Sequence, residues 1–137
     1  MQNWVLAGAL AVLVSFLMAF GALAQQAEIK GTISSQIEAF KADDFDEAFT
    51  YATPTLQRLF QSPQNFERMV TQGYPMVWRP AEVEYLDLEE HGGSHWQKVR
   101  IVDQKGFTHM LLYRMIETDA GWRIGGVQIL EAPGATA

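Results

Sequence analysis

The hydrophobic pattern of this chain changes its period near the middle, and this change is its strongest constraint on the fold. In the first half, apolar residues such as Ile29, Ile33 and Ile37 recur every four positions, which is the spacing of one face of an amphipathic helix. From Pro80 onward, apolar and polar residues tend to alternate, which is typical of half-buried strands. Helices first and strands afterwards predict an α+β fold.

Capping chemistry divides the first half into several helices. One helix is predicted over residues 27–41, and Asp44 has the form of an N-cap that begins a second one. Thr53 and Ser62 each precede a proline, which suits the first position of a helix because its missing N–H costs nothing there. Gly73 is predicted to end the last helix in the left-handed conformation. The side chains that the two proline-initiated helices are expected to bury are Leu56, Leu59, Phe60, Phe66, Met69 and Val70.

The second half reads as four strands joined by short turns. Residues 74–80 are predicted to be an irregular connection, since the residue before each proline is pushed out of the helical region. The predicted strands are residues 82–89, 96–103, 107–117 and 122–130. Gly125 and Gly126 in the last strand indicate a bulge that increases sheet curvature. We therefore expect N-terminal helices packed on a curved antiparallel four-strand meander, a cone-shaped fold, with one domain over residues 25–131 and a flexible tail over 132–137.

An apolar run at the start of the chain predicts export. Residues 4–20 carry no charged side chain, and small residues at Ala22 and Ala24 occupy the two positions that a signal peptidase reads. We expect residues 1–24 to be a signal peptide, cleaved after Ala24, and the protein to be periplasmic or secreted. The alternative is an uncleaved leader, because the run is long enough to span a bilayer. In that case the leader is the only membrane attachment that the sequence predicts.

The composition of the chain indicates how the domain is stabilised and which class of partner it does not bind. The chain has no cysteine, so the exported domain must be stable without disulfides. It carries 16 acidic residues against 10 Lys plus Arg, a net charge of −6. Nucleic-acid binding needs basic stripes that replace counterions, so this balance argues against nucleic acid as a partner.

Short stretches spread over the predicted domain are shared with a known family. They are Gln36-Ile37-Glu38-Ala39-Phe40, Ala42-Asp43-Asp44, Ala48-Phe49, residues 66–70, Gly73-Tyr74-Pro75, Gln97-Lys98-Val99, Tyr113-Arg114-Met115 and residues 121–127. On these stretches the chain resembles the bacterial domain of unknown function 4864 family, in the nuclear-transport-factor-2-like (SnoaL-like, cystatin-like) superfamily. The resemblance implies a cone fold. It leaves the activity open, because the superfamily hosts isomerases, dehydratases, cyclases and non-catalytic binding modules on that fold.

Polar side chains on the face that the helices are expected to cover are the candidate ligand-binding residues. Strand parity and helix spacing place them among apolar neighbours. The candidates are Gln36, Tyr85, Gln97, His109 and Tyr113. A concave apolar pocket with a few converging polar groups is typical of a ligand site, so we expect a non-enzymatic domain that binds a small apolar ligand or a partner. The alternative is that these groups satisfy one another or buried backbone.

An enzymatic reading depends on one residue. Proton-transfer catalysis needs an acidic or imidazole base within reach of the substrate, and among the five candidates only His109 supplies one. The alternative function is thus a small isomerase or hydrolyase with His109 as base and Tyr113 as a hydrogen-bond donor. No cofactor motif is present, and His91 and His95 flank a Gly-Gly turn, where their spacing does not ensure convergence on a metal. We therefore predict neither a metal nor a cofactor.

The opposite face of the sheet mixes basic and apolar side chains. Its members by parity are Trp96, Lys98, Arg100, Met110, Leu112, Arg114, Ile116 and Arg123. An exposed apolar face of this size is typical of an interaction surface, and a twofold homodimer repeats the same patch. The alternative is a solvated face on which Glu84 and Glu89 pair with Lys98 or Arg100.

Overall fold

The structure is a computed structural model that describes the backbone of residues 2–130 and the side chains of residues 20–130. Within these residues, five helices precede four strands. The helices are α1 Gln2–Lys41, α2 Phe45–Thr50, α3 Pro54–Phe60, α4 Pro63–Gly73 and α5 Pro75–Trp78. The strands are β1 Pro80–His91, β2 Ser94–Asp103, β3 Thr108–Thr118 and β4 Gly121–Leu130. This order confirms the predicted α+β class.

Helix α1 ends at Lys41 as predicted but begins far upstream of residue 27. The helix continues through Gly21, and its first buried side chain is Ile29. The side chains of the predicted leader at residues 4–19 lie outside the described residues, as does the predicted tail at 132–137. Among the side chains that are described, no helix has an apolar stretch long enough to cross a membrane.

The three predicted N-caps are confirmed. The Asp44 carboxylate accepts a hydrogen bond from the backbone N–H of Glu47 at 3.1 Å. Thr53 and Ser62 accept the corresponding bonds at 3.3 Å and 3.2 Å. Each bond satisfies a backbone donor that has no partner inside the first turn of its helix.

Three local predictions are wrong. Gly73 ends α4 without a positive φ, and the chain leaves the helix through Tyr74 at φ −135. Residues 75–78 form the short helix α5 rather than an irregular connection, because Pro75 occupies its first position. Helix α3 has no buried residue, and Leu59 is 71% exposed, because a helix of two turns presents only a narrow stripe to the sheet.

The sheet is an antiparallel meander in the order β1-β2-β3-β4, as predicted. Gly92 and Gly93 have φ of 59 and 78, the left-handed values that a two-residue hairpin turn requires. The predicted bulge in β4 is confirmed, since the register with β3 shifts at Gly125. Strand β1 has two more shifts, one between Pro80 and Glu82 and one between Tyr85 and Leu88, and the latter had no signal in the sequence.

The helices cover one face of this sheet. Ile29 and Ile33 of α1 pack in the same cluster as Val99, Ile101 and Leu111, and all five are 0% exposed. The segment between α2 and α3 is joined to β4 by backbone hydrogen bonds on both sides of residue 124. The curved sheet therefore wraps around the helices, consistent with the predicted cone.

Candidate functional site

A cavity of about 280 Å³ lies between the helices and the β3–β4 half of the sheet. Five aromatic side chains line it: Phe40, Phe60, Phe66, Tyr74 and Tyr113. Its other lining residues are Gln36, Leu56, Met69, Val70, Val77, Ile124, Gly126 and Val127. None of these described residues carries a charge, so the cavity is an apolar hollow with a few polar atoms.

The wall of the cavity is held by an aromatic cluster around Phe66. Its ring centroid lies 5.8 Å from that of Phe40, 5.3 Å from Phe49 and 5.6 Å from Phe60, with tilted planes. Tilted rings at these distances attract one another beyond the burial of their area. The cavity is thus bounded by a pre-formed wall rather than by mobile surface side chains.

The hollow exists because helix α3 does not fill the space above the sheet. Leu56 and Phe60 are only half-buried, and the helix ends at Gln61 with φ 74 and ψ −36. That backbone conformation is strained for a residue other than glycine. The Asn65 side-chain amide donates a hydrogen bond to the Phe60 carbonyl at 2.8 Å, and this bond holds the end of the helix in place.

Gln36 lies in the cavity wall on the buried stripe of α1. It is 5% exposed, and its Nε2 donates to the Ala48 carbonyl at 3.2 Å. Within the described residues, its Oε1 accepts no hydrogen bond. The side chain therefore offers the cavity an acceptor.

Tyr113 lines the cavity from β3 and is 1% exposed. Its hydroxyl is fully buried and has no hydrogen-bond partner among the described residues. Burial raises the pKa of Tyr113, with a smaller contribution from Tyr85, so the phenol is neutral at physiological pH. Because its hydroxyl is inaccessible, Tyr113 contributes ring surface to the cavity.

Gln97 does not line the cavity. It is 0% exposed, and its Nε2 donates at 2.9 Å to the carbonyls of Leu86 and Lys98, with a longer contact of 3.4 Å to that of Asp87. Leu86 and Asp87 form the bulge of β1. The amide thus supplies donors to carbonyls that the bulge removes from the ladder.

His109 lies at the end of the sheet, away from the residues that line the cavity. Its Nε2 is 2.8 Å from Asp103 Oδ2, and both side chains are half-buried. The hydrogen bond with His109 lowers the pKa of Asp103, as do the backbone N–H groups of Phe107 and Lys105. The structure therefore places the predicted base in an Asp–His pair beside the β2–β3 turn.

Tyr85 is also separate from the cavity. It lies in a second depression between α1 and β1, which Ser34, Glu38 and Lys41 line as well. Burial raises the pKa of Tyr85, while a hydrogen bond with Ser34 acts in the opposite direction. Of the five candidates, the structure therefore brings Gln36 and Tyr113 to one cavity and leaves Tyr85, Gln97 and His109 outside it.

Sequence reasoning missed the residues that give the cavity its apolar character. Leu56, Phe60 and Met69 were assigned to a filled core, and Tyr74 and Val77 to an irregular connection. The available signal was the excess of large apolar side chains in helices too short to bury them all.

The two histidines of the β1–β2 hairpin do not converge. His91 Nε2 pairs with Glu89 at 2.8 Å on the surface, whereas the His95 ring packs edge-on against Trp122 at 4.9 Å. Among the described residues, no group of three or more His, Asp or Glu side chains is placed to hold a metal ion.

The outer face of the sheet is a mixed surface. Trp96, Lys98, Arg100, Met110 and Leu112 are half-buried, and Arg114 is exposed. Arg100 pairs with Glu84 at 2.7 Å and Glu82 at 3.1 Å. Arg114 Nε donates to the Ser94 hydroxyl at 3.1 Å. Part of the positive charge on this face is thus neutralised within the same chain.

One family model matches most of the chain. Residues 22–137 match the model of a family described as Domain of unknown function (DUF4864). No curated protein matches the chain. The match begins upstream of the first buried side chain, Ile29, and so includes the whole described core.

Proposed function

The chain belongs to the DUF4864 family of domains of unknown function, and we propose that it binds a small apolar molecule in the cavity without chemically changing it. The observation that carries the proposal is the pocket of about 280 Å³, which is partly open to solvent and is lined almost entirely by apolar and aromatic side chains. Natural ligand pockets begin near about 300 Å³ and combine apolar walls with a few placed polar groups. Because protein interiors are otherwise close-packed, an apolar pocket of this size leaves room that a small apolar molecule can fill.

Binding without catalysis is supported by the side chains that line the cavity. Its ionisable members among the described residues are Tyr74 and Tyr113. The Tyr74 hydroxyl already donates a hydrogen bond to the Val127 carbonyl at 3.2 Å. A general base must lie within hydrogen-bond reach of the proton that it removes, and His109 is not at this cavity.

The isomerase or hydrolyase alternative has one observation in its favour, the Asp103–His109 pair at 2.8 Å. A carboxylate in this position orients an imidazole ring. A substrate would have to approach His109 at the sheet end rather than enter the cavity. His109→Ala should leave cavity binding unchanged, and loss of a measured turnover in that variant would favour the enzyme.

Export is part of the proposal. It is supported by the uncharged run at residues 4–20 and the small residues before Gln25. Cleavage after Ala24 would leave Ile29 and every later buried residue in the mature domain. Native mass spectrometry of protein recovered from the periplasm, expressed with its own leader, should give a mass beginning at Gln25. A mass that includes the leader would mean a retained anchor.

The homodimer through the outer face stays a prediction. Met110 and Leu112 form an apolar centre between charged neighbours, which a second copy related by a twofold axis would cover. Sedimentation equilibrium should give a dimer that Leu112→Glu converts to a monomer. A monomeric wild type at high protein concentration would contradict the prediction.

Filling the cavity tests the proposed function directly. Val127 is half-buried, lines the cavity and pairs with Tyr113 across the strands, so Val127→Phe should occupy the space. Ile129 lies two residues along the same strand, is 42% exposed and does not line the cavity, which makes Ile129→Phe the matched control. We expect naphthalene, titrated by calorimetry, to bind the wild type and Ile129→Phe, and to bind Val127→Phe at least about tenfold more weakly. Equal binding to all three would contradict the proposal, as would no binding to the wild type.

A further inference from the structure

The buried stripe of α1 carries one glutamine whose acceptor has no partner among the described residues. Ile33, Ile37 and Phe40 fill the neighbouring positions of this stripe, and Gln36 lies among them at 5% exposure. Burying an amide costs free energy unless both its donor and its acceptor are satisfied. Within the described residues, only the Nε2 side of this amide has a partner. Its Oε1 is not among the fully buried atoms that lack one, so this acceptor remains accessible at the cavity.

That partner also fixes which way the amide faces. Nε2 donates to the Ala48 carbonyl at 3.2 Å, and a flipped amide would place Oε1 against that carbonyl oxygen, which is repulsive. The donor side is therefore committed to α2. Oε1 is left as the group of Gln36 that is available to a molecule in the cavity.

The other polar side chains of the cavity do not compete for this role. The Tyr74 hydroxyl donates to Val127 O at 3.2 Å, and the Tyr113 hydroxyl is fully buried. No charged side chain is among the described lining residues. An ionised ligand would lose its hydration without gaining a counter-charge, so the site favours a neutral molecule.

The volume sets the size of that molecule. A cavity of about 150 Å³ lined by Leu, Ile and Phe holds one benzene ring. The present cavity, at about 280 Å³, is about twice as large. Two fused rings, or an aliphatic body of the same size, match it.

We propose that Gln36 is the specificity-determining residue of the cavity and selects a neutral, two-ring-sized apolar molecule that carries one hydrogen-bond donor, such as a hydroxyl. The hydroxyl donates to Gln36 Oε1 while the apolar body packs among the aromatic wall. This inference rests on the proposed function, since it presupposes that the cavity is a binding site. It adds the class of ligand and the residue that recognises it.

The test compares three probes: naphthalene, 1-naphthol and 1-methoxynaphthalene. The first has no polar group, the second has a donor, and the third keeps the oxygen but has no donor. Their dissociation constants are measured by calorimetry on the wild type, on Gln36→Met, and on Gln97→Met as the matched change at a buried glutamine outside the cavity. A neutral hydrogen bond corresponds to about threefold to tenfold in affinity.

We expect the wild type to bind 1-naphthol about threefold to tenfold more tightly than 1-methoxynaphthalene. Gln36→Met should reduce this ratio toward one, whereas Gln97→Met should retain the ratio. If all probes bind but the ratio is the same in the wild type and Gln36→Met, the role of Gln36 is wrong and the proposed function stands. If no probe binds the wild type, both are wrong. Should Gln36→Met fail to fold, a wild-type ratio of one between 1-naphthol and 1-methoxynaphthalene still overturns the inference.

Discussion

The two halves of the covered sheet face are built differently, although their residues look alike in sequence. We call the region around Ile33 of α1, Val99 of β2 and Leu111 of β3 the packed half, because these members of the core cluster have no exposed surface. In the hollow half, Leu56 and Phe60 of α3 remain half-buried above the cavity. A long helix lays a continuous stripe on the sheet, but a two-turn helix reaches it only at its edge. The shortness of α3 thus explains why the space beside Leu56 and Phe60 is not filled.

The two buried glutamines, Gln36 and Gln97, also differ between these two regions of the domain. Gln97 lies in the packed half and donates to the carbonyls of the β1 bulge. Gln36 lies at the hollow half and lines the cavity. Neither Oε1 has a partner among the described residues, but that of Gln97 is fully buried whereas that of Gln36 is not. One amide stabilises the fold, and the other is placed to recognise a ligand. The following four predictions test this division.

Truncating leucine should have its largest effect in the packed half. Leu111→Ala removes a side chain that is 0% exposed, and we expect it to lower the free energy of unfolding by about 2–5 kcal/mol. Leu56→Ala makes the same chemical change beside the cavity and should cost less than about 1 kcal/mol, since little packing is lost. Urea denaturation measures both values. Equal losses would mean that the two halves are packed alike.

Gln97→Met should destabilise the domain without affecting the cavity. The change leaves the carbonyls of Leu86 and Lys98 without the donor that they now share, and we expect a loss of about 1–3 kcal/mol in unfolding free energy. Naphthalene binding should be retained. A variant as stable as the wild type would show that the bulge does not need this amide.

Tyr113→Phe should change stability in the opposite direction. It removes a buried hydroxyl that has no partner among the described residues, so we expect the unfolding free energy to rise by up to about 1 kcal/mol. Tyr74→Phe is the control, because it breaks the hydrogen bond to Val127 and should lower stability by about 1 kcal/mol. A loss from Tyr113→Phe as large as that of the control would mean that this hydroxyl is hydrogen-bonded in solution.

The smallest expected effect concerns the acid stability that the Asp43 carboxylate contributes. Hydrogen bonds from the Trp78 indole and from Arg79 lower the pKa of Asp43 below its ordinary value of 3.8. A lowered folded-state pKa contributes stability above the unfolded value, and this contribution is lost as the pH falls through the folded value.

Asp43→Asn should therefore be less stable than the wild type near about pH 6 and should approach it below about pH 3. Asparagine also tolerates the positive φ of 56 at this position, so the backbone is not strained by the change. Thermal unfolding across this pH range measures the difference. A difference that is constant with pH would contradict a role for the carboxylate charge.

The sequence predicted local structure best at residues such as proline and glycine, whose backbone properties restrict them to particular positions in helices and strands. Prolines after Thr53 and Ser62 located two helix starts, and Gly125 located the bulge of β4. The bulge of β1 contains Leu86 and Asp87, which carry no such signal. For that reason the role of Gln97, which depends on the bulge, was not predictable.

The candidate site was predictable only in part. Periodicity placed Gln36 and Tyr113 on the covered face, where the structure has them at the cavity. Parity cannot report how far along the strand the helices extend, so His109 was grouped with them although it lies at the sheet end beside Asp103. Whether α3 fills the space above β4 depends on three-dimensional packing that no pattern of spacing records.

Methyl-resolved NMR tests the division between the packed and hollow halves most directly. Protein labelled at the methyl groups of Leu, Val, Ile and Met is titrated with naphthalene, and each methyl shift is followed. We expect shifts concentrated at the cavity residues Leu56, Met69, Val70 and Val127, with little change at Ile33, Val99 and Leu111. Shifts confined to Met110 and Leu112 on the outer face, or spread evenly over both halves, would contradict the account.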